Sequence, residues 1–129
     1  ELGRFVAIDK EADFIGKKAV ILEKEDVNKT SPSLRLRTFV VDANDADVIG
    51  DEPIWFRRGQ EKSESYEIKG WVTSGGFAHN SGVSVAMGYV PKEIADEKQG
   101  WAIDILGQRC SATLQEEALF DPKGLIMRA

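Results

Sequence analysis

The chain has 129 residues, 42% of them hydrophobic and 30% charged, and a net charge of −5, which suits a single globular domain with its own core. Because the balance is acidic, a nucleic-acid or anionic-membrane surface would need a local basic patch, and the largest candidates are Arg35 with Arg37 and Arg57 with Arg58. No apolar run reaches the roughly 20 residues of a membrane span, and the start does not have the pattern of a signal peptide. We therefore expect a soluble chain with neither a nucleic-acid nor a membrane partner.

The beginning of the chain has the composition of an ordered segment. It opens with Glu1 rather than Met, and residues 2–8 form a short apolar stretch of the kind found in a strand or a docking segment. We therefore expect this chain to be a piece of a larger protein.

A helix is predicted next, over residues 14–25, with Asp13 placed to cap its free amides. The apolar residues that share one face of this helix are Ile15, Ala19 and Leu22. Residues 28–33 contain Thr, Ser and Pro and are interpreted as a linker. The sequence thus predicts an N-terminal segment, 1–33, that carries one helix and leads into a separate domain.

From residue 34 onward the hydrophobic pattern changes to a period of two, which is typical of strands. Alternating segments begin near Leu34, Ile54, Tyr66, Val83, Trp101 and Cys110. Glycines separate them, and strands at this spacing favour a closed barrel or a sandwich over a fold of alternating strands and helices. We predict a mainly β domain, 34–129, with about six strands.

The stretch 70–91 predicts the two central strands. On the first of these strands, Tyr66, Ile68 and Val72 are predicted to face the core. The second strand alternates large residues with small ones and ends at Pro91. Between the strands, 74–76 and 80–82 are rich in Gly, Ser and Asn, which predicts a shaped loop rather than a two-residue turn.

Two tryptophans stand on the opposite face of their predicted strands. If Val72 faces the core, Trp71 faces outward, and Trp55 beside Arg57 repeats the pattern. Either a bulge or a second packing layer covers these rings, or they meet another domain or a ligand. In the second case Trp71 should be more exposed than is usual for tryptophan.

Other residues that suggest chemistry have simpler explanations. His79 is the only histidine, and because no cysteine or second histidine lies near it, it is better read as a solvated loop residue than as a base or a zinc ligand. Cys110 is predicted to be a buried, unreactive thiol. Residues 42–47 lack the spacing of a calcium loop and are interpreted as an acidic turn, and Gly75-Gly76 belongs to no nucleotide-binding motif. The residues predict no catalytic group and no metal site.

Three motifs resemble, in order and spacing, the C-terminal part of the glycine-cleavage aminomethyltransferase (T-protein) family. They are Asp13–Ala19, Val72–Phe77 and Val85–Pro91. Three segments are more similar still to the folate-binding half of dimethylglycine and sarcosine dehydrogenases, which carry this domain after a flavin domain: the start, 2–6, the stretch 9–20 and the tail, 120–124. The resemblance covers nearly the whole chain.

The resemblance implies a Greek-key β-barrel that closes a cloverleaf of domains around a channel for tetrahydrofolate. The family's catalytic aspartate and most of its folate contacts lie in preceding domains, so the chain is expected to be part of an enzyme and not catalytic alone. The whole enzyme would be an aminomethyltransferase, or would oxidise an N-methyl amine on FAD, and would pass the one-carbon unit to tetrahydrofolate. Its partners would be the preceding folate-binding and flavin domains, in the cytoplasm or, in a eukaryote, the mitochondrial matrix.

Site residues follow from the resemblance only where they match. We expect a domain interface formed by Trp71, Gly75, Gly76, Phe77 and Trp55. Arg128 is a candidate contact for the glutamate tail of folate, because a basic residue near the C-terminus has that role in some relatives. Arg4 stands where some T-proteins have a tryptophan near the pterin, which argues against pterin stacking by this segment.

Two alternatives stay open. One is a stand-alone barrel whose outward tryptophans bind a protein partner. The other keeps the fold in a T-protein or in another folate-dependent demethylase or tRNA-modifying relative, and the acidic charge counts against tRNA. The sequence immediately before Glu1 would separate the first alternative from a larger enzyme.

Overall fold

The computed structural model describes residues 5–25, 34–59 and 65–128. The chain divides into two compact units, Glu1–Ser33 and Leu34–Ala129. The predicted linker at 28–33 lies outside the described residues, as do residues 2–4 of the predicted apolar start, which include Arg4.

The first unit contains helix α1, Lys17–Glu25, which begins later than predicted. The Asp13 carboxylate accepts a hydrogen bond from the amide of Phe14 at 2.9 Å and so fixes a turn before the helix rather than its first amides. Gly16 follows with a φ of +89°, a conformation that glycine adopts without strain. Residues 5–8 lie in turns and irregular structure rather than in a strand.

In the described residues of the second unit, six antiparallel strands form a closed barrel, as predicted. They are β1 (Leu34–Val41), β2 (Pro53–Phe56), β3 (Glu67–Ala78), β4 (Val83–Pro91), β5 (Trp101–Ile105) and β6 (Gln108–Gln115). Their order around the barrel is β1-β4-β3-β2-β5-β6, and β1 pairs with β6 to close it. Because β2, β3 and β4 are consecutive neighbours and β4 returns beside β1, the topology is a Greek key.

Aromatic side chains fill one part of the barrel interior. The ring of Trp101 lies 5.2 Å from that of Phe39 and 4.5 Å from that of Phe56, in tilted arrangements that aromatic pairs favour. Its indole Nε1 donates to the carbonyl of Glu97 at 2.6 Å, so the buried polar atom is satisfied. The short 3-10 helix Lys92–Ile94 precedes Glu97 in the chain.

Strand β3 is longer than predicted, so the loop after it is shorter. Gly75 and Gly76 pair with Ala86 and Val85 of β4 inside the ladder, and only residues 79–82 form the connection. A Cβ at Gly75 would lie 2.8 Å from the Cβ of Val48. The glycines therefore permit close packing within a strand, whereas the sequence pattern suggested a loop.

The residues of β3 that face the core differ from those predicted, because the strand contains a β-bulge. In the pairing with β2, Ile54 lies opposite Gly70 but Trp55 lies opposite Ile68, so Lys69 is an extra residue. One extra residue moves every side chain before it to the other face of the strand. As a result Val72 is buried as predicted, whereas Ile68 is 58% exposed.

Strand β4 turns its small residues inward. Its buried residues are Ser84, Ala86, Gly88 and Val90. A Cβ at Gly88 would lie 2.5 Å from the carbonyl oxygen of Trp71, and a Cβ at Gly70 would lie 2.0 Å from that of Tyr89. At these two positions β3 and β4 leave no room for an inward side chain, whereas their neighbours Trp71 and Tyr89 stand on the outer surface.

Candidate domain interface

Trp71 lies on the outer surface of β3 and is 44% exposed, which confirms the predicted exposure. Its ring packs at a tilt against that of Tyr89, its cross-strand neighbour on β4, with 5.7 Å between the ring centroids. The backbones that carry the pair lie close together, because Gly70 is in contact with the carbonyl of Tyr89 and Gly88 with that of Trp71. The result is a rigid, amphipathic aromatic surface of the kind that is enriched in interfaces.

The same surface continues across three neighbouring strands. The strand register places Leu36, Tyr89 and Trp71 in one row, Thr38, Met87 and Ser74 in the next, and Val40, Val85 and Gly76 in a third. We call these three rows the outer apolar face. No position in them is charged, although 30% of the chain is, and depletion of charge marks the centre of protein interfaces.

Phe77 stands at the border of this face and is 47% exposed. It lines a shallow groove of about 270 Å³ together with Gly75, Gly76 and Met87, and it meets the ring of His79 edge-on at 5.2 Å. Of the four predicted residues on β3, Trp71 and Gly76 therefore belong to the outer apolar face, whereas Gly75 and Phe77 pair with the buried Ala86 and Ser84.

A second groove, of about 300 Å³, opens where β1 ends and β4 begins, beside the middle of β6. Phe77 also lines it, beside Asp42, Ser84 and Ser111. The Ser84 hydroxyl oxygen is buried and has no hydrogen-bond partner among the described residues. Asp42 belongs to the acidic segment after β1, which lies between two strands as predicted.

Trp55 is not part of the outer apolar face. It lies on β2, opposite Ile68 of β3 and Ala102 of β5, and the guanidinium of Arg109 stacks over its ring at 3.9 Å. A second packing layer therefore covers this ring, which was one of the two explanations that the sequence left open. Its indole Nε1 is buried with no hydrogen-bond partner in the described part of the chain.

The cover over Trp55 comes from residues that the sequence analysis did not single out. Arg109 is held by Asp104, with Nε to Oδ1 at 3.0 Å and Nη2 to Oδ2 at 3.3 Å, and its guanidinium also lies 5.4 Å from the ring of Tyr66. Asp104 and Arg109 are directly opposite each other in the β5–β6 hairpin. This ion pair could have been predicted from the sequence, because Asp104 and Arg109 have opposite charges and lie on either side of the Leu106-Gly107 turn. A hairpin at that turn makes them cross-strand neighbours.

Arg128 lies in the tail and is exposed. The Asp121 carboxylate organises this tail by accepting hydrogen bonds from the amides of Leu125 at 2.7 Å, Ile126 at 3.1 Å and Met127 at 3.3 Å. Arg128 does not line either of the two grooves beside Phe77.

Cys110 is half-buried rather than fully buried as predicted, because it stands near the turn end of β6. Burial, followed by the negative charges of Asp42 and Asp104, raises the pKa of its thiol. The protonated thiol is a weak nucleophile, so the arrangement does not provide an activated cysteine.

The comparisons with known proteins agree with this fold. A family model, described as the glycine cleavage T-protein C-terminal barrel domain, matches residues 35–121. The chain belongs to that family of barrel domains.

Individual relatives were also found among curated proteins. The chain is 30% identical over 115 residues to the mitochondrial dimethylglycine dehydrogenase of Mus musculus, and 29% identical over 115 residues to that of Homo sapiens. The match to the Rattus norvegicus enzyme is 28% over 118 residues and covers 92% of the chain. In each case the chain spans only about 12% of the relative's length.

Among the described residues, none of the helices has the length and apolar character needed to cross a bilayer.

Proposed function

We propose that the chain is the C-terminal barrel of a larger tetrahydrofolate-linked enzyme, and specifically of a dimethylglycine or sarcosine dehydrogenase that oxidises an N-methyl amine. Membership of the T-protein barrel family supports the class, and the dimethylglycine dehydrogenase relatives support the narrower choice. Because the relatives are named as mitochondrial, the mitochondrial matrix is the proposed location if the source is a eukaryote, and the cytoplasm otherwise.

The outer apolar face carries the proposal about how the barrel works. Three rows of uncharged side chains with Trp71 at 44% exposure are costly to leave in water, since each 100 Å² of apolar surface removed from water is worth about 2.5 kcal/mol. A preceding folate-binding domain packed on this face would remove that surface from water. In this role the barrel supports the folate channel and does not itself catalyse.

The residues of this chain do not form a complete site for either cofactor of the proposed enzyme. FAD is commonly bound by a GxGxxG turn, and that motif is absent from the sequence; tetrahydrofolate has one candidate contact, the exposed Arg128. FAD would accept the electrons of amine oxidation and tetrahydrofolate the one-carbon unit, both in the preceding domains. Arg128 would offer a guanidinium to a carboxylate of the folate tail.

Activity assays test the division of labour between the domains. The 129-residue chain and the longer chain that carries its N-terminal extension are each incubated with dimethylglycine or sarcosine, an electron acceptor and tetrahydrofolate. We expect oxidation and one-carbon transfer only from the longer chain. Turnover by the 129-residue chain would disprove the supporting role, and an upstream start codon directly before Glu1 would instead favour the stand-alone interaction barrel.

A substitution in the longer chain tests the interface. Trp71→Ala should weaken docking of the barrel and lower one-carbon transfer at least fivefold, since truncating a large interface aromatic commonly costs 1 kcal/mol or more. Phe120→Ala is the matched control, because Phe120 is an exposed aromatic outside the outer apolar face. Equal effects of the two substitutions would contradict the proposed interface.

A further inference from the structure

A groove of about 400 Å³ lies where β2 ends and the segment before β5 begins. The residues in it that bear on its chemistry are Arg57, Arg58, Asp96, Glu97, Lys98 and Gly100. It shares none of its residues with the two grooves beside Phe77, so its role is separate from the interface proposed above.

Arg57 is fixed in this groove by its backbone. Its amide donates to the carbonyl of Gly100 at 2.9 Å, and a Cβ at Gly100 would lie 2.3 Å from the carbonyl oxygen of Arg57. Gly100 also has a φ of +92°. Glycine is therefore needed here for two reasons, because a side chain would clash and because other residues rarely adopt this backbone conformation. Arg57 is therefore anchored to the opposite wall of the groove.

The Arg57 side chain is positioned as well, and none of the described acidic residues forms an ion pair with it. Its guanidinium stacks on the ring of Tyr66, 4.8 Å from the centroid, and its Nε is buried with no hydrogen-bond partner in the described residues. Losing hydration at one nitrogen without gaining a counter-charge is unfavourable. An anion on the remaining nitrogens of the guanidinium would compensate this loss.

The neighbouring charges leave the groove basic. Asp96 is bound by Arg37 at 2.7 Å and Lys98 by Glu116 at 3.1 Å. Among the described residues that line the groove, the remaining charges are Arg57 and Arg58 against Glu97, an excess of one positive charge. This balance favours a small anion over a neutral ligand.

We propose that this groove binds a small oxyanion, a carboxylate or a phosphate, on the guanidinium of Arg57. The planar fork of a guanidinium matches both anions, the stack on Tyr66 sets its orientation in advance, and Arg58 adds long-range attraction. The volume of the groove lies within the range of small-molecule sites. The inference depends on neither the folate chemistry nor the docking of another domain.

The test is a titration of the 129-residue chain with succinate and, separately, with inorganic phosphate, followed by NMR of the arginine side-chain Nε–H signals. Sodium chloride at matched ionic strength is the reference. We expect a saturable shift of the Arg57 signal with at least one of the two anions, and the anion that saturates at lower concentration identifies the chemistry. Arg57→Gln should weaken binding about tenfold or more, read from backbone amide shifts.

Further variants make the result decisive. Arg57→Lys should restore only part of the affinity, because an ammonium is a point charge without the fork, and Lys123→Gln, which removes a charge outside the groove, should leave binding unchanged. If Arg57→Gln does not fold, Arg58→Gln should still weaken binding about two- to threefold through its charge. Shifts that follow ionic strength alone, or equal losses in Arg57→Gln and Lys123→Gln, would overturn the proposal.

Discussion

Gly88 lies in the interior of the barrel between Ile54 and the backbone of β3. A Cβ there would lie 2.4 Å from Ile54 Cδ1 and 2.5 Å from the carbonyl oxygen of Trp71. The methyl group of Ile54 is able to rotate away, whereas the carbonyl belongs to a hydrogen-bonded strand and is not. We predict that Gly88→Ala lowers the free energy of unfolding by about 2 to 3 kcal/mol, measured by urea denaturation.

Ile54→Val provides the matched control for this prediction. It removes Cδ1 and should cost about 1 kcal/mol by itself. The double variant should lose less unfolding free energy than the sum of the two single losses, because the clash between the new Cβ and Ile54 Cδ1 no longer exists. Full additivity would show that Ile54 does not crowd the introduced methyl.

Cys110 makes a pH-dependent prediction. Its pKa is raised by burial and then by the charges of Asp42 and Asp104, so the folded state holds the proton more tightly than the unfolded state does. The resulting stabilisation is present below the thiol's unfolded pKa and is lost as the pH rises through the folded pKa. Alkylation by iodoacetamide near pH 8 should therefore be slower for the folded chain than for the chain in urea.

Asp42→Asn checks the cause of this shift. Removing the carboxylate charge should lower the Cys110 pKa and speed alkylation of the folded chain at fixed pH. Lys123→Gln serves as a distant charge control. An unchanged rate in Asp42→Asn, or a folded chain that reacts as fast as the unfolded one, would contradict the assignment.

At the residue scale, the sequence predicted the exposure of Trp71 but not that of Ile68. Alternation within one strand was enough for Trp71, because no register shift separates it from the buried Val72. Ile68 lies before the bulge at Lys69, and a bulge exists only in the pairing with β2. A feature that two strands share is not visible in the periodicity of one of them.

At the element scale, the six strands were predicted because period-two segments were separated by turn residues. The connection between β3 and β4 was misread because glycine serves both turns and close strand packing. Gly75 and Gly76 stand in the ladder, and the true turn is the segment 79–82, in which Ser81 and Gly82 donate to the carbonyl of Ala78 at 2.9 and 2.8 Å. A second packing layer over Trp55 was one of the alternatives left open, but Arg109 could not be named as its source without the β5–β6 register.

The C-terminal tail is an element whose structure depends on one carboxylate. Asp121 accepts hydrogen bonds from three consecutive amides, those of Leu125, Ile126 and Met127. Asp121→Ala should speed hydrogen exchange of these amides at least about tenfold, because each loses a charge-assisted bond. Global stability should change by no more than about 0.5 kcal/mol, since the tail side chains are exposed.

Asp121→Asn distinguishes the carboxylate from mere packing. Its amide keeps one acceptor oxygen, so exchange should fall between the original chain and Asp121→Ala. If neither substitution changes exchange at these amides, the tail is ordered by something other than Asp121.

At the scale of the whole molecule, periodicity left a barrel and a sandwich equally open, and the family resemblance pointed to the barrel. The difference between the two is the pairing of the first strand with the last, which is a long-range property. The outer apolar face also depends on long-range strand pairing, since Leu36, Tyr89 and Trp71 become neighbours only through the register of three strands. The candidate interface was therefore predicted residue by residue, but not as a surface.

The pairing that closes the barrel also sets the order of events during synthesis of the chain. Val41 of β1 pairs with Ala112 of β6, so one side of β1 has no partner until the last strand has left the ribosome. At 5–20 residues per second, that interval is on the order of 4 to 15 s. During this time the growing chain presents an open strand edge, and nascent-chain aggregation or chaperone capture should be greatest before β6 emerges.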